Sequence, residues 1–222
     1  MKLPVFAADY RNFRLQKIHQ EEFRHLLFLL IWPAIVLRYV LLERFLIAGQ
    51  YYDVHCALDS LIPFQEIFLI PYVIWYVFII GVHLYTCLFD IEAFRWYSNY
   101  LLVSFTISTL TFILFPTSQN LRPAVFPRDN LLTEMVKLLY SVDTNTNVCP
   151  SEHVIGSIAA FLAVRHTKSL QTTAATLTFA ATAFLTSIST VFLKQHSIID
   201  VIAAIPVCMI AGLICKEKRD TP

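Results

Sequence analysis

Residues 171–215 read QTTAATLTFAATAFLTSISTVFLKQHSIIDVIAAIPVCMIAGLIC. Gln171 to Thr190 is apolar and small, Leu193 to Ser197 is a polar break, and Ile198 to Cys215 is apolar again except for Asp200. A helix needs about 20 apolar residues to cross roughly 30 Å of hydrocarbon. The two runs therefore predict two membrane helices joined by a short turn. An aspartate just inside the second is costly in lipid and calls for a partner.

Working outward, four further apolar stretches stand at Leu26–Ala48, Ile67–Cys87, Leu101–Phe115 and Glu152–Arg165. The expectation is an all-α integral membrane bundle of about six transmembrane helices. The first span carries Arg38, Glu43 and Arg44, so it tilts or ends early. The fifth is rich in small and hydroxyl residues, which predicts that it packs inside the bundle. The chain divides into a basic N-terminal segment (1–25), a six-helix membrane domain (26–215) and a basic tail (216–222).

Composition agrees. Hydrophobic residues make up 57% and charged residues 15% of the 222, whereas soluble domains carry about 45–50% and about 25%. A net charge of +1 and four glycines argue against nucleic-acid partners and Gly-rich nucleotide loops. The five cysteines show no metal-ligand spacing, so neither a metal nor a cofactor is expected.

Lys and Arg favour cytoplasmic loops. Lys2, Arg11, Arg14, Lys17 and Arg24 at the start, Arg95 and then Arg165 and Lys168 in the even loops, and Lys216, Lys218 and Arg219 at the end fall on one side of a six-helix path. Both termini are then cytoplasmic. The outer segments are 49–65, the long loop 116–150 and the turn 191–196. Within the long loop, NLLTEMVKLLYSV (Asn130–Val142) has apolar residues at helical spacing behind a capping Asn, which predicts a short interfacial helix bordering the outer site.

Three short motifs lie at outer helix ends: Leu121-Arg122-Pro123, Cys149-Pro150-Ser151-Glu152-His153, and Lys194-Gln195-His196-Ser197-Ile198-Ile199-Asp200. Ser151 stands where a helix N-cap belongs, and a capped N-terminus with free N–H groups can also cradle a phosphate. His196 and Asp200 are four residues apart, so on a helix they share one face. The carboxylate then accepts from one imidazole nitrogen and leaves the other free to act as nucleophile or base.

The order Arg-Pro, Pro-Ser-x-His, His-x-x-x-Asp resembles the type 2 phosphatidic acid phosphatase superfamily over roughly residues 116–206. That resemblance implies a metal-independent membrane lipid phosphatase in which His196 attacks phosphorus to form a phosphohistidine. Asp200 would orient it, His153 would protonate the departing oxygen, and Arg122 and Ser151 would hold phosphate oxygens. The implied substrate is a lipid phosphate monoester or diphosphate at the outer face of the cell membrane. Relatives that are sphingolipid synthases imply a phosphotransferase as the alternative, and a non-catalytic lipid-binding relative is a third reading.

The chain departs from the pattern at three places. Phe115 and Thr190 stand where the family has a Lys and an Arg, and Glu152 stands in place of Gly. A phosphoryl group in transfer spreads charge over three oxygens and needs preorganised cations. Lys194 is the first candidate to replace them and Arg128 the second.

Overall fold

The computed structural model describes residues 9–46 and 48–216. Lys2, Ile47, Lys218 and Arg219 lie outside them, and with them parts of the two basic ends and one residue of the expected first span.

Among the described residues the chain folds into six main helical rods and two short helices in the connections between them. The first rod runs Arg24–Phe45, with a 3-10 start, a regular helix α1 (Ile31–Val40) and a wide final turn. After it come α2 (Ala57–Leu61), α3 (Leu69–Phe89), α4 (Ile91–Leu114), α5 (Leu131–Val142), α6 (Glu152–His166), α7 (Thr173–Phe192) and α8 (Ile198–Ile214). Four rods are long and apolar enough to cross a membrane: Arg24–Phe45, Glu66–Phe89, Ile91–Leu114 and Thr173–Phe192. At 15 and 17 residues, α6 and α8 are shorter. The protein is an all-α membrane bundle. Its one parallel strand pair among the described residues, Tyr52–Asp53 with Thr117–Ser118, ties the loop after the first rod to the long loop after α4.

Two expectations are corrected. α4 begins ten residues before the expected Leu101, which places Arg95 on a helix rather than in a loop. Asp90 caps it by accepting from Ala93 N–H at 3.1 Å, and the other oxygen of the same carboxylate accepts from Lys168 N–H at 2.9 Å. The first turns then bury Phe94, Tyr97 and Tyr100 completely, while the Ser98 hydroxyl donates back to Phe94 O. Arg95, Ser98 and Asn99 lower the hydropathy of a stretch that packing nonetheless makes helical.

The second correction concerns the centre. α7 keeps Leu177 and Phe184 exposed and buries only one face, whereas α6 packs against α3, α4, α7 and α8 together. Gly156, Ser157, Ala159, Ala160 and Ala163 make α6 slim, and small residues let helix backbones approach closely. A methyl group added at Gly156 would meet the Trp75 ring at 2.9 Å.

α5 forms where the sequence places it, with the Asn130 side chain accepting from Thr133 N–H at 3.0 Å. Its inner face buries Val136 and packs Leu132, Leu139 and Tyr140 on Phe64, Leu69, Tyr72 and Leu193; Leu131 and Leu138 point outward.

Candidate active site

The turn between α7 and α8 carries His196. It must reverse the chain within five residues, and Lys194 does so in the left-handed region at φ 55°, a conformation costing roughly 1–2 kcal/mol for a non-glycine residue. Neighbouring segments hold the turn from several sides. Gln119 Nε2 donates to Lys194 O at 2.9 Å, Tyr140 Oη donates to Leu193 O at 2.5 Å, and the main-chain N–H groups of Gln195 and His196 donate to Thr190 O. The buried Thr190 therefore closes the turn through its carbonyl.

Asp59, on α2, is a buried carboxylate that braces the same turn. It accepts from Ser197 Oγ at 2.6 Å, Ile198 N–H at 2.9 Å and, on its own helix, Cys56 N–H at 2.8 Å. Burial alone would raise its carboxyl; these hydrogen bonds hold it below the ordinary aspartate value. Lys194 closes the clamp by donating from Nζ to Asp59 O at 2.7 Å and Ile62 O at 2.5 Å. Burial pushes this ammonium down.

With the turn fixed, His196 Nδ1 lies 3.1 Å from Asp200 Oδ2, which also accepts from Ser197 N–H at 3.0 Å. This network assigns the proton to Nδ1 and leaves Nε2 as the free imidazole nitrogen. His153 stands opposite, its ring centroid 5.7 Å from that of His196. Its Nε2 is buried without a hydrogen-bond partner.

The His153 ring is gripped by Trp75 at 4.3 Å and Tyr72 at 4.6 Å, and Trp75 Nε1 donates to His153 O at 2.8 Å. Ser151 caps α6 and is fully buried, and its N–H donates to Asp200 O at 3.1 Å. That bond joins the N-termini of α6 and α8. Glu152 meets Arg38, whose Nη1 and Nη2 donate to its two oxygens at 2.5 Å each. The charge on the first helix and the charge at the Gly position of the pattern thus neutralise one another.

Arg122 lies beside this group. Its Nη2 donates to Gln195 Oε1 at 2.6 Å and to the carbonyls of Asp143 and Thr144, its Nη1 donates to Tyr140 O, and its plane lies 4.4 Å above the Tyr140 ring. Its Nε is buried with no partner. Burial lowers its pKa, against the pull of Asp143.

Of the residues singled out in the sequence, His153, His196, Asp200 and Ser151 come together, and Arg122 adjoins them through Gln195. Lys194 is directed to the carbonyls of Asp59 and Ile62, in the connection between the first two rods. Arg128 sits on Glu66 at 2.6 Å and on Gln65, at the start of the second membrane rod.

Asp59, Asp143, Tyr72, Trp75 and Arg38 went unread in the sequence as parts of this site. Asp143 closes α5; its carboxylate accepts from Tyr72 Oη and Gln195 Nε2, both at 3.1 Å, and from Tyr39 Oη at 3.3 Å. Burial pushes its carboxyl up, while the nearby His196, Tyr72 and Arg122 pull it down. An acid directly after a helix invites reading as a loop residue, and only the fold brings it to the histidines.

The arrangement offers one imidazole with a free nitrogen and a carboxylate behind it, a second imidazole edge-on to the first with ring centroids 5.7 Å apart, and a guanidinium at the side. Such a set suits attack on a phosphate ester by one histidine with proton transfer by the other. No curated protein and no solved structure matches the chain. The family model described as PAP2 superfamily matches residues 96–221, which contain both histidines, Asp200, Arg122 and Ser151. Motif order, paired histidines and family match agree, and the chain belongs to the PAP2 superfamily.

Proposed function

We propose that the protein cleaves or transfers the phosphate group of a lipid phosphate ester through a phosphohistidine on His196. The observation that carries this reading is the His196–Asp200 pair facing the unpartnered Nε2 of His153. His196 Nε2 attacks phosphorus, and Asp200 balances the charge that develops on the ring. His153 gives its proton to the departing oxygen and then takes one from the water or alcohol that attacks the phosphohistidine. Arg122, with its free Nε, and the N-terminus of α6 at Ser151 hold phosphate oxygens.

Charge bias of the loops supports both termini in the cytoplasm and the site at the outer membrane face. Membrane lipids then reach it from the outer leaflet.

Turnover of lipid phosphates by purified protein in detergent, with EDTA present, tests the reading. Vanadate inhibits, because it mimics five-coordinate phosphorus, and His196→Ala abolishes turnover. Substantial activity in His196→Ala would remove the mechanism, as would loss of activity on chelation. For the orientation, a cysteine at Thr144 in an otherwise cysteine-free protein reacts with an impermeant thiol reagent from outside, and one at Ser169 reacts only after the membrane is opened. The reverse labelling would put the chemistry on the cytoplasmic face.

A further inference from the structure

The region around His153 and His196 gathers little positive charge. Arg38 is neutralised by Glu152, Arg128 by Glu66, and Lys194 points to the carbonyls of Asp59 and Ile62. Arg122 is the guanidinium that reaches the turn bearing His196, through Gln195. Phe115, at a family cation position, is largely exposed, and Thr190, at the other, is buried within the turn.

A negative group stands in the same place. The Asp143 carboxylate accepts from Tyr72, whose ring lies tilted 4.6 Å from that of His153, and from Gln195, the neighbour of His196. Among the described residues it has no ion-pair partner. Arg122 donates to the main-chain oxygen of Asp143, not to its carboxylate. A phosphate monoester brings close to two negative charges at neutral pH, and beside Asp143 it would have one guanidinium to meet them. A phosphodiester brings one negative charge. If its head group carries a cation, both of its charges find opposite partners here.

We propose that the substrate is a phosphodiester lipid with an amine or quaternary ammonium head group, and that Asp143 is the counter-charge for that head group. The phosphate lies between His196, His153 and Arg122, and the ammonium lies against Asp143 and the rings of Tyr39 and Tyr76. Both rings are partly exposed, at 38% and 45%, and the Tyr76 edge faces His153 at 6.3 Å. Aromatic faces beside a carboxylate attract such cations. At 3.3 Å the Tyr39 hydroxyl makes a long bond to Asp143 that a bound cation can displace. This proposal rests on the phosphohistidine reading. In the first step a bond forms between His196 Nε2 and phosphorus, the bond from phosphorus to the diacylglycerol oxygen breaks, and His153 gives that oxygen a proton. The head-group phosphate stays on His196 until the acceptor hydroxyl attacks it and returns a proton to His153.

Exchange of labelled diacylglycerol tests this without knowledge of the natural acceptor, because it runs the first step in both directions. Protein in mixed micelles with labelled diacylglycerol incorporates label into phosphatidylethanolamine or phosphatidylcholine at least about tenfold faster than into phosphatidic acid. Asp143→Asn keeps its size and its acceptor for Tyr72, and it lowers the zwitterion rate about tenfold or more beyond any change in the phosphatidic acid rate. Asp143→Glu restores part of the zwitterion rate. Faster labelling of phosphatidic acid by the wild type overturns the proposal and leaves the phosphohistidine reading standing; so does an equal loss on both lipids in Asp143→Asn. No label in any lipid, together with no labelling of His196, overturns both. The wild-type ratio decides the matter even where a variant fails to fold.

Discussion

The stretch of chain before residue 96 and the stretch after it serve the site differently. The second, which the family model matches, carries the groups assigned to touch the phosphate: Arg122, Ser151, His153, His196 and Asp200. The first carries none of these, yet it supplies their surroundings. Trp75 and Tyr72 grip the His153 ring, Arg38 neutralises Glu152, and Asp59 braces the turn that presents His196. Packing follows the same division. α6 is the slim buried centre of the bundle, whereas the first rod is 11% buried over its most apolar stretch and is held near its C-terminal end by polar contacts from Arg38, Tyr39 and Glu43. The candidate reactive groups thus sit at or just before the N-terminal ends of the short helices α6 and α8, and their geometry is set by elements far away in sequence. If that division is right, variants in the second stretch change chemistry, and variants in the first change position and stability.

After the loss of His196 itself, the largest effect is expected at Asp200. Asp200→Asn keeps size but removes the counter-charge and disturbs the proton on His196 Nδ1, so kcat falls by roughly 10² to 10⁴ with KM little changed. A drop below tenfold would mean that Asp200 serves mainly to cap α8 through Ser197 N–H.

Asp59 tests the other side of the comparison. Asp59→Ala leaves the Ser197 hydroxyl and the Ile198 N–H without their acceptor, and each buried orphan costs about 1–3 kcal/mol. The turn loosens, and kcat falls by about 10 to 10², less than for Asp200→Asn, while KM stays within a few fold. Steady-state kinetics beside thermal unfolding in detergent separate the cases. A lowered Tm with wild-type kcat would make Asp59 a staple of the fold with no part in placing His196.

Much of this was legible in the sequence, and the failures have physical causes. The α5 cap at Asn130, the α6 cap at Ser151 and the His196–Asp200 pair are local, so spacing alone reveals them. The start of α4 was hidden because polar residues such as Ser98 satisfy themselves inside the helix and lower the hydropathy of a buried stretch. Asp59, Asp143 and the Arg38–Glu152 pair act across separations that no window of sequence spans; |i−j| is 138 for Asp59 and Ser197. The one local signal was cost. A charge within an apolar rod, as at Arg38, demands a partner, and the partner proved to be the acid that breaks the family pattern.

Gly156 brings the two stretches into contact, since its missing side chain leaves room for Trp75. Gly156→Ala places a methyl 2.9 Å from that ring, and overpacking of this kind costs about 1–3 kcal/mol. Displacing Trp75 also strains its bond to His153 O, so a fewfold loss of kcat accompanies the loss of stability. Trp75→Phe in the same background is expected to recover part of the stability by giving the methyl space. If Gly156→Ala is as stable as the wild type, the close approach of α3 and α6 is looser than the packing indicates.

The smallest effect is expected at Arg128, although the sequence offers it as a substitute for a missing cation. Its guanidinium side chain is 48% exposed and lies on Glu66 and Gln65, and Asn130 also donates to Glu66. Solvent screens an exposed pair, and long side chains lose entropy when held in one geometry, so such pairs contribute little. Arg128→Met therefore changes kcat by less than about threefold, whereas Arg122→Met, which removes the guanidinium beside Gln195, lowers it by about 10². Both are measured on one lipid at one ionic strength, because added salt weakens the exposed pair first. A tenfold or greater loss in Arg128→Met would mean that the loop bearing it leaves Glu66 and reaches the phosphate during turnover. The site would then draw a cation from that loop, and the charge balance assigned to Arg122 and Asp143 would have to be redrawn.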